Sequence, residues 1–292
     1  MTIRVSDHIK MERKISITIE NEAQFRAALE SGRADLIYVD AAYMEPADFA
    51  GFVEAAHEKG VRCGLRLPHI WRAEAGRYFA ARLEEIRSAG FDCWLFRNLE
   101  GALWFAEQGL LDGVSYSLDH GIYVTNKAAA EEIRELLPDG GEGLISMTCP
   151  LELNAAELKA LITACSESGE KEAAKTSFEL VIYGRVPMMI SAQCLQKTAR
   201  ECRKGNETTL MLEDRKGALM PVKNSCRFCF NTIYNSVPVM LYDLTDDLSG
   251  TGAASWRYEF TTETPEEVRR ILRGELLPAG GFTRGHFRKS VL

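Results

Sequence analysis

Four of the eight cysteines, Cys194, Cys202, Cys226 and Cys229, fall within 36 residues as C-x7-C-x23-C-x2-C, outside any periodic apolar pattern. Four thiolates at such spacing can close a tetrahedral zinc site or hold an iron–sulfur cluster once the loop folds around them. Zinc ribbons use two close pairs, and only Cys226–Cys229 is one here, which tilts the expectation toward a cluster over zinc or unmetallated thiols. Arg200, Arg203, Lys204, Lys223 and Arg227 stand beside these cysteines and would offset thiolate charge. Cys63, Cys93, Cys149 and Cys165 lie singly within apolar runs and read as small hydrophobes.

Other chemistry leaves fainter traces. The one His-Glu dipeptide, in HEKGV, lacks the second histidine of a zinc-protease helix, and no G-x-S-x-G is present. The five histidines (8, 57, 69, 120 and 286) stand in no local signature. With 292 residues, 46% hydrophobic and 26% charged, the chain can build a sizeable core, which excludes disordered and collagen-like classes. No apolar run approaches the roughly 20 residues of a spanning helix, and the start, MTIRVSDHIKMERK, is charged. The expectation is a cytoplasmic chain with no membrane partner. A net charge of −7 argues against indiscriminate nucleic-acid binding, yet residues 185–227 hold nine Lys/Arg against four Asp/Glu. Residues 266–292 hold six against three.

The elements that must position these groups follow a regular beat. Short apolar runs, ISITI (15–19), LIYVD (36–40), RCGLRLP (62–68), CWLFRN (93–98), GVSYSLD (113–119), GLISMTC (143–149) and FELVIYG (178–184), recur every 25 to 30 residues. All but the last lead into amphipathic helical patterns, with Asn21 a good N-cap, Pro46 at a first helical position and Gly60 at a stop. Alternation of this kind predicts parallel pairing, and seven or eight units predict an α/β fold of the closed (β/α)8-barrel (TIM-barrel) type. An open doubly wound sheet is the alternative, although no G-x-G-x-x-G follows the first strand.

After Gly184 the beat stops. The expected organisation is a barrel portion over 1–184, a basic, Cys-bearing lobe over 185–250, and a closing strand, helix and tail over 251–292. The lobe holds a predicted hairpin, TTLMLEDRKGALMPV, turning at Asp214–Gly217, and ASWRYEFT (254–261) reads as the last strand. Thr264, with Glu267 three residues on, suits a capping box for the last helix.

Barrel logic places function where strands end. Arg66 and His69, Arg97 and Asn98, Asp119 and His120, and Glu179 and Tyr183 occupy such positions. Each has a plainer reading: Asn98 a helix cap, Asp119–His120 a turn, Tyr183 a wall residue. Arg66, Asn98, His120, Arg185 and Tyr234 together would form a cationic mouth for a small carboxylate or an RNA phosphate. In the tail, Arg284 and His286 either belong to a Gly-punctuated turn that packs Phe287 on the barrel or add to the lobe's positive field.

The stretches ELVIYGRVPMMISAQC, LEDRKGALMPV, CFNTIYNSVPVMLYDL and FTRGHF, with RNLEGALWFAEQG and VSYSLDHGIYVTN, resemble the peptidase U32 family, also called collagenase-like peptidases, over roughly residues 93–287. The resemblance implies a barrel with a Cys-rich segment at its mouth and, as in several members, a 4Fe–4S cluster on four cysteines, with zinc the alternative. It further implies an O2-independent hydroxylase acting on an RNA base or a small aromatic. Two other readings come with it: a peptidase of the collagenase-like type, and a non-catalytic, RNA- or partner-binding half of a two-unit U32 protein. The family opening is only echoed in SGRADLIYVD (31–40), as in a second or reduced unit. Cys202 stands alone where members often carry two cysteines, and Cys226 is additional. On this reading Arg185, Arg200, Arg203, Lys204, Tyr234, Arg284 and His286 face the substrate.

Overall fold

A computed structural model describes residues 13–137, 139–166, 177–199, 201–202, 209–277 and 281–289. Seven strands coincide closely with the seven apolar runs: β1 (Lys14–Ile19), β2 (Leu36–Asp40), β3 (Arg62–Arg66), β4 (Cys93–Phe96), β5 (Ser115–Leu118), β6 (Leu144–Thr148) and β7 (Ser177–Gly184). Helices α1 (Glu22–Glu30), α2 (Phe49–Glu58), α3 (Ala73–Ala80), α4 (Leu83–Ser88), α5 (Leu99–Glu107), α6 (Lys127–Leu136) and α7 (Ala155–Ser166) alternate with them. The stretch RYFAARLEEIRSAG, one periodic pattern in the sequence, is two helices, because Ala81 and Arg82 leave the ladder between α3 and α4. Arg82 there stacks on the Tyr78 ring at 4.2 Å.

Local chemistry explains the boundaries. Asn21 Oδ1 accepts from Gln24 N at 2.9 Å and starts α1. Gly60 stops the segment after α2 in the left-handed region, at φ +69°.

After β7 the chain forms a separate antiparallel sheet from β8 (Pro187–Ser191), β9 (Thr209–Glu213), β10 (Leu219–Ser225) and β11 (Phe230–Tyr234), with helix α8 (Leu195–Ala199) between the first two. The strand order is β8-β11-β10-β9. The β9–β10 hairpin turns where the sequence placed it, with Asp214 Oδ1 accepting from Lys216 N at 2.7 Å and Ala218 N at 2.9 Å. By β12 (Val239–Met240), which pairs with β7, the chain has rejoined the barrel, so the lobe ends well before residue 250. Helix α9 (Thr245–Gly250), β13 (Ser255–Glu259) and α10 (Pro265–Leu272) complete the fold. Thr264 and Glu267 form a full capping box at α10.

β13 pairs in parallel with both β7 and β1, and β6 pairs with β7. Eight parallel strands therefore close into a barrel, which is the (β/α)8 fold. The main apolar core lies between strands and helices. Inside the barrel, among the described residues, Leu36, Tyr38, Cys93 and Leu95 form a small apolar cluster with Ile145 packed against it. Gly64 makes room for it: a Cβ there would stand 2.6 Å from the Tyr38 ring and 2.8 Å from Cys93 Sγ.

Candidate active site

The remaining inward positions are polar, and at the C-terminal ends of the strands they are charged. Asp40 ends β2, Arg66 ends β3 and Glu259 ends β13, while Glu20, Arg97 and Asp119 directly follow β1, β4 and β5. All are at most 5% exposed. Arg66 Nη2 donates to Asp119 Oδ2 at 3.2 Å and to Glu259 Oε1 at 3.1 Å. Arg97 pairs with Asp40 at 2.9 Å and with Asp119 at 3.4 Å. Arg257, fully buried on β13, joins Asp119, Glu179 at 3.0 Å and Glu259 at 3.0 Å. Below it, Glu179 accepts from Ser16 Oγ at 2.5 Å and from Thr148 Oγ1 at 3.3 Å.

Burial alone would raise the Asp119 carboxyl, but Arg257, then His120, Arg66 and Arg97, outweigh it and hold the group well below its usual range. Glu259 is likewise lowered, its desolvation overcome by Arg66 and Arg257. The same carboxylates raise Arg66 and Arg257 against the effect of burial. Each fixed charge is thus answered by another from the same chain, as buried ion pairs require.

One triad has metal-like geometry. Ligand atoms of Asp119, His120 and Glu259 lie within 4.8 Å of one another, with His120 Nε2 3.9 Å from Asp119 and 4.0 Å from Glu259. A cation there would compete with Arg66, Arg97 and Arg257 for the same oxygens, so the donor set does not fit a resident metal.

The antiparallel lobe lies over this ring. Lys223 on β10 pairs with the buried Glu20 and donates to Thr261 O at 3.3 Å. Burial raises the Glu20 carboxyl, Lys223 opposes the shift, and Asp40 reinforces it. Arg227 donates to the carbonyls of Ala41 at 2.8 Å and Met44 at 2.6 Å, while Arg72 grips the carbonyls of Phe228 at 3.0 Å and Cys229 at 2.9 Å. Phe228 stacks on Phe79 at 5.8 Å. Both residues between Cys226 and Cys229 are therefore anchored in the barrel.

Cys194, Cys202, Cys226 and Cys229 line a single cavity of about 780 Å³, together with Lys197, Thr198 and Phe230. Cys229 takes the left-handed conformation, φ +52°, which tightens the knuckle after Cys226. None of the eight cysteines, all among the described residues, forms a disulfide. The other four behave differently: Cys63, Cys93 and Cys149 are buried, and desolvation raises their thiols, that of Cys93 to about 12. Cys165 packs partly buried against the core. Four thiols drawn from two segments thus line one cavity, and among the described residues no three of their Sγ atoms lie within 4.8 Å of one another.

The other expected site residues divide. His69 meets Phe230 edge-on, ring centroids 6.4 Å apart, and burial, then Arg97 and Arg66, keep its imidazole well below the usual range. His120 and Tyr234 are at the mouth and buried. Asn98 caps α5, accepting from Gly101 N at 2.7 Å and donating to the Pro68 and His69 carbonyls. The buried Tyr183 donates to Glu263 at 2.9 Å among aromatic neighbours. Arg185 donates to Ser236 O at 2.7 Å and to Thr262 Oγ1 at 3.0 Å.

Arg284 pairs with Asp243 at 2.7 Å and shares a small cavity with His286 beside β7 and β12, away from the lobe cysteines. Phe287 is buried and its carbonyl accepts from Ala155 N at 2.9 Å, so the tail packs on the barrel. Arg200, Arg203 and Lys204 lie outside the described residues. The expected cationic mouth does not form, because Arg66 spends its charge on Asp119 and Glu259, and Arg185 spends its donors on the chain after β11.

Sequence reasoning missed Glu20, Asp40, Arg257 and Glu259, and gave Lys223 to the cysteines where the structure pairs it with Glu20. A readable signal existed for three of them: Glu20, Asp40 and Glu259 stand, like Arg66, Arg97 and Asp119, at the ends of β-runs, where buried parallel strands are ordinarily apolar.

No protein-family model matches the sequence, and no curated protein matches it. Among solved structures the chain is similar to an uncharacterized B. cereus protein, at 12% identity and a TM-score of 0.46, covering 90% of this chain and 65% of that one. It is similar to the Bacillus cereus spore cortex-lytic enzyme SleL, at 11% identity and a TM-score of 0.42, over 91% of this chain and 76% of that one. An HpcH/HpaI aldolase from Desulfitobacterium hafniense DCB-2 aligns at 10% identity and a TM-score of 0.39, over 85% and 86%. Among the described residues no helix is long and apolar enough to cross a membrane.

Proposed function

We propose that the chain is a U32-type barrel enzyme whose Cys194, Cys202, Cys226 and Cys229 hold a 4Fe–4S cluster, and that it hydroxylates an RNA base or small aromatic at the barrel mouth. The observation that carries this reading is the single cavity shared by the four cysteines on a lobe seated over the mouth. A cluster held by these thiolates would supply single-electron transfer. Replacing a ring C–H by C–OH takes two electrons from the ring; an oxygen-bearing organic co-substrate would give up the oxygen atom and be reduced by the same two electrons, so that atoms and electrons balance.

The chain's own residues have defined parts. Phe230 lines the cysteine cavity and touches His69 at the mouth, so one side chain separates the two regions. Arg72 and Arg227 fix the knuckle that presents Cys226 and Cys229. On this reading His120, whose Nε2 lies 4.0 Å from the arginine-paired Glu259, receives the ring proton. The peptidase reading has less support, since among the described residues no serine or threonine hydroxyl is hydrogen-bonded to a histidine.

Mass spectrometry of nucleosides and small aromatics from cells lacking the chain tests the activity. The expected result is loss of one oxygen-bearing product, restored by the wild-type chain and not by Cys226→Ser/Cys229→Ser. Unchanged extracts, or cleavage of gelatin by the purified protein after contaminant controls, would contradict it.

A further inference from the structure

The opposite end of the barrel holds a cavity of its own. It measures about 850 Å³ and opens where the strands begin, with lining residues from β1, β2, β3, β5, β6, β7 and β13. The interior layers of such a barrel are ordinarily filled by Val, Ile and Leu. Here four strands contribute serines instead: Ser16 on β1, Ser117 on β5, Ser146 on β6 and Ser255 on β13. Serine fills less volume than a branched aliphatic side chain, so the layer leaves space and faces it with hydroxyls. Ser16, Ser117 and Ser146 are buried. Ser117 Oγ and Ser146 Oγ lie 2.8 Å apart, and the Tyr38 hydroxyl donates to Ser117 at 3.4 Å. At the inner end, Glu179 accepts from Ser16 Oγ at 2.5 Å and from Ser255 Oγ at 3.5 Å. Arg257 holds its other oxygen at 3.0 Å, so this pair divides the cavity from the ion-pair ring at the mouth.

The rim is basic. Arg13, Lys14 and Arg62 line the cavity, and among the described residues none of the three forms an ion pair, unlike Arg66, Arg97 and Arg257 at the other end. Asp35 and Glu179 are the carboxylates that line it, and both are engaged: Asp35 Oδ2 accepts from Ile15 N at 2.7 Å, and Glu179 meets Arg257. Basic side chains at a surface are usually just solvated, but here they surround the entrance to a space walled with hydroxyls. Three cations disfavour a metal ion, and an apolar guest would strand the hydroxyls without water. The arrangement suits a ligand with two chemically different ends. A phosphate would meet the guanidinium and ammonium groups at the rim, and hydroxyls would exchange hydrogen bonds with the serines and donate to Glu179.

We propose that the cavity at the N-terminal end of the barrel binds a sugar phosphate, with its phosphate between Arg13, Lys14 and Arg62 and its hydroxyls among Ser16, Ser117, Ser146 and Glu179. This is a second site, at the end of the barrel away from the lobe, and it rests neither on the cluster nor on a reaction at the mouth.

Calorimetric titration of the full-length protein with glucose 6-phosphate, glucose and inorganic phosphate tests it. Glucose 6-phosphate is expected to bind at least about tenfold more tightly than glucose, which lacks the charge, or phosphate, which lacks the sugar hydroxyls. Arg62→Met, a change at an exposed side chain, is expected to weaken glucose 6-phosphate by about tenfold or more, the scale of one lost charge-assisted contact. Ser255→Leu fills the cavity from its wall and is expected to abolish binding while circular dichroism shows the fold retained. Arg26→Met removes an equal charge from the exposed face of α1, outside the cavity, and should leave the affinity unchanged. No binding of glucose 6-phosphate to the folded protein, glucose or phosphate binding as tightly, affinity unchanged in either folded cavity variant, or an equal loss in Arg26→Met would overturn the proposal.

Discussion

Inside the barrel, Arg257 touches Asp119, Glu179 and Glu259, and Arg66 serves two of these and Arg97 one, whereas on the lobe four thiols line one cavity without disulfides. The first region is closed on itself: its charges hold one another in the protonation states that the ion pairs need. The second sets soft donors around one cavity, with Cys202 and Cys229 exposed and Cys194 and Cys226 half-buried. The contrast teaches that a conspicuous cluster of charged residues at the usual active-site end of a barrel can be mainly framework.

The sharpest way to break the comparison is Arg257→Met. It strips the counter-charge from Asp119, Glu179 and Glu259 in a site with 0% exposure of the arginine side chain, and should cost about 3–5 kcal/mol in urea denaturation. A loss below about 1 kcal/mol would mean that the ring is not the closed framework described. Iron content per folded chain should be unaffected.

Acid should expose the same framework. Asp119 and Glu259 are held below their usual range, so their stabilisation is present above about pH 4 and disappears as pH falls through the lowered native values. His69 is also lowered: below about pH 6.5 the unfolded chain takes up its proton while the native chain resists, so stability falls with pH there too. Glu20, raised in the native state, has the opposite sign and offsets part of the lower step. Urea midpoints measured across pH should therefore decline below about pH 6.5, and His69→Gln should flatten that first decline. An identical slope in the variant would contradict the assignment.

Packing and capping give smaller effects. Gly64→Ala puts a Cβ 2.6 Å from the Tyr38 ring and should cost about 1–3 kcal/mol of stability, because both neighbours are buried. Asn98→Ala removes the α5 cap and should cost about 1 kcal/mol, read as a lower melting temperature, without changing affinity for any mouth ligand. A large change in ligand affinity would return Asn98 to the site.

The barrel was legible because its signal is repetitive: each run from ISITI to FELVIYG, and then SWRYE, has the length and β-branched or aromatic content of a strand and a helix-length segment between. The cysteine lobe was legible because sulfur is scarce and its spacing stands out. The ion-pair ring was not, because a residue such as Arg66 has the same appearance in sequence whether it meets solvent, substrate or Glu259. Only closure of β13 against β1 brings Glu259 to within 3.1 Å of a residue 193 positions away. Lys223 shows the same limit, since a basic run on a lobe reads as a phosphate-binding face until the lobe folds down on Glu20.

Iron and acid-labile sulfide per chain, determined on protein purified anaerobically, test most directly whether the lobe completes a metal centre where the barrel completes itself. About four of each per chain, with visible absorbance that disappears in Cys226→Ser/Cys229→Ser while the barrel stays folded, is the expected result. A colourless, iron-free protein carrying one zinc per chain would contradict it.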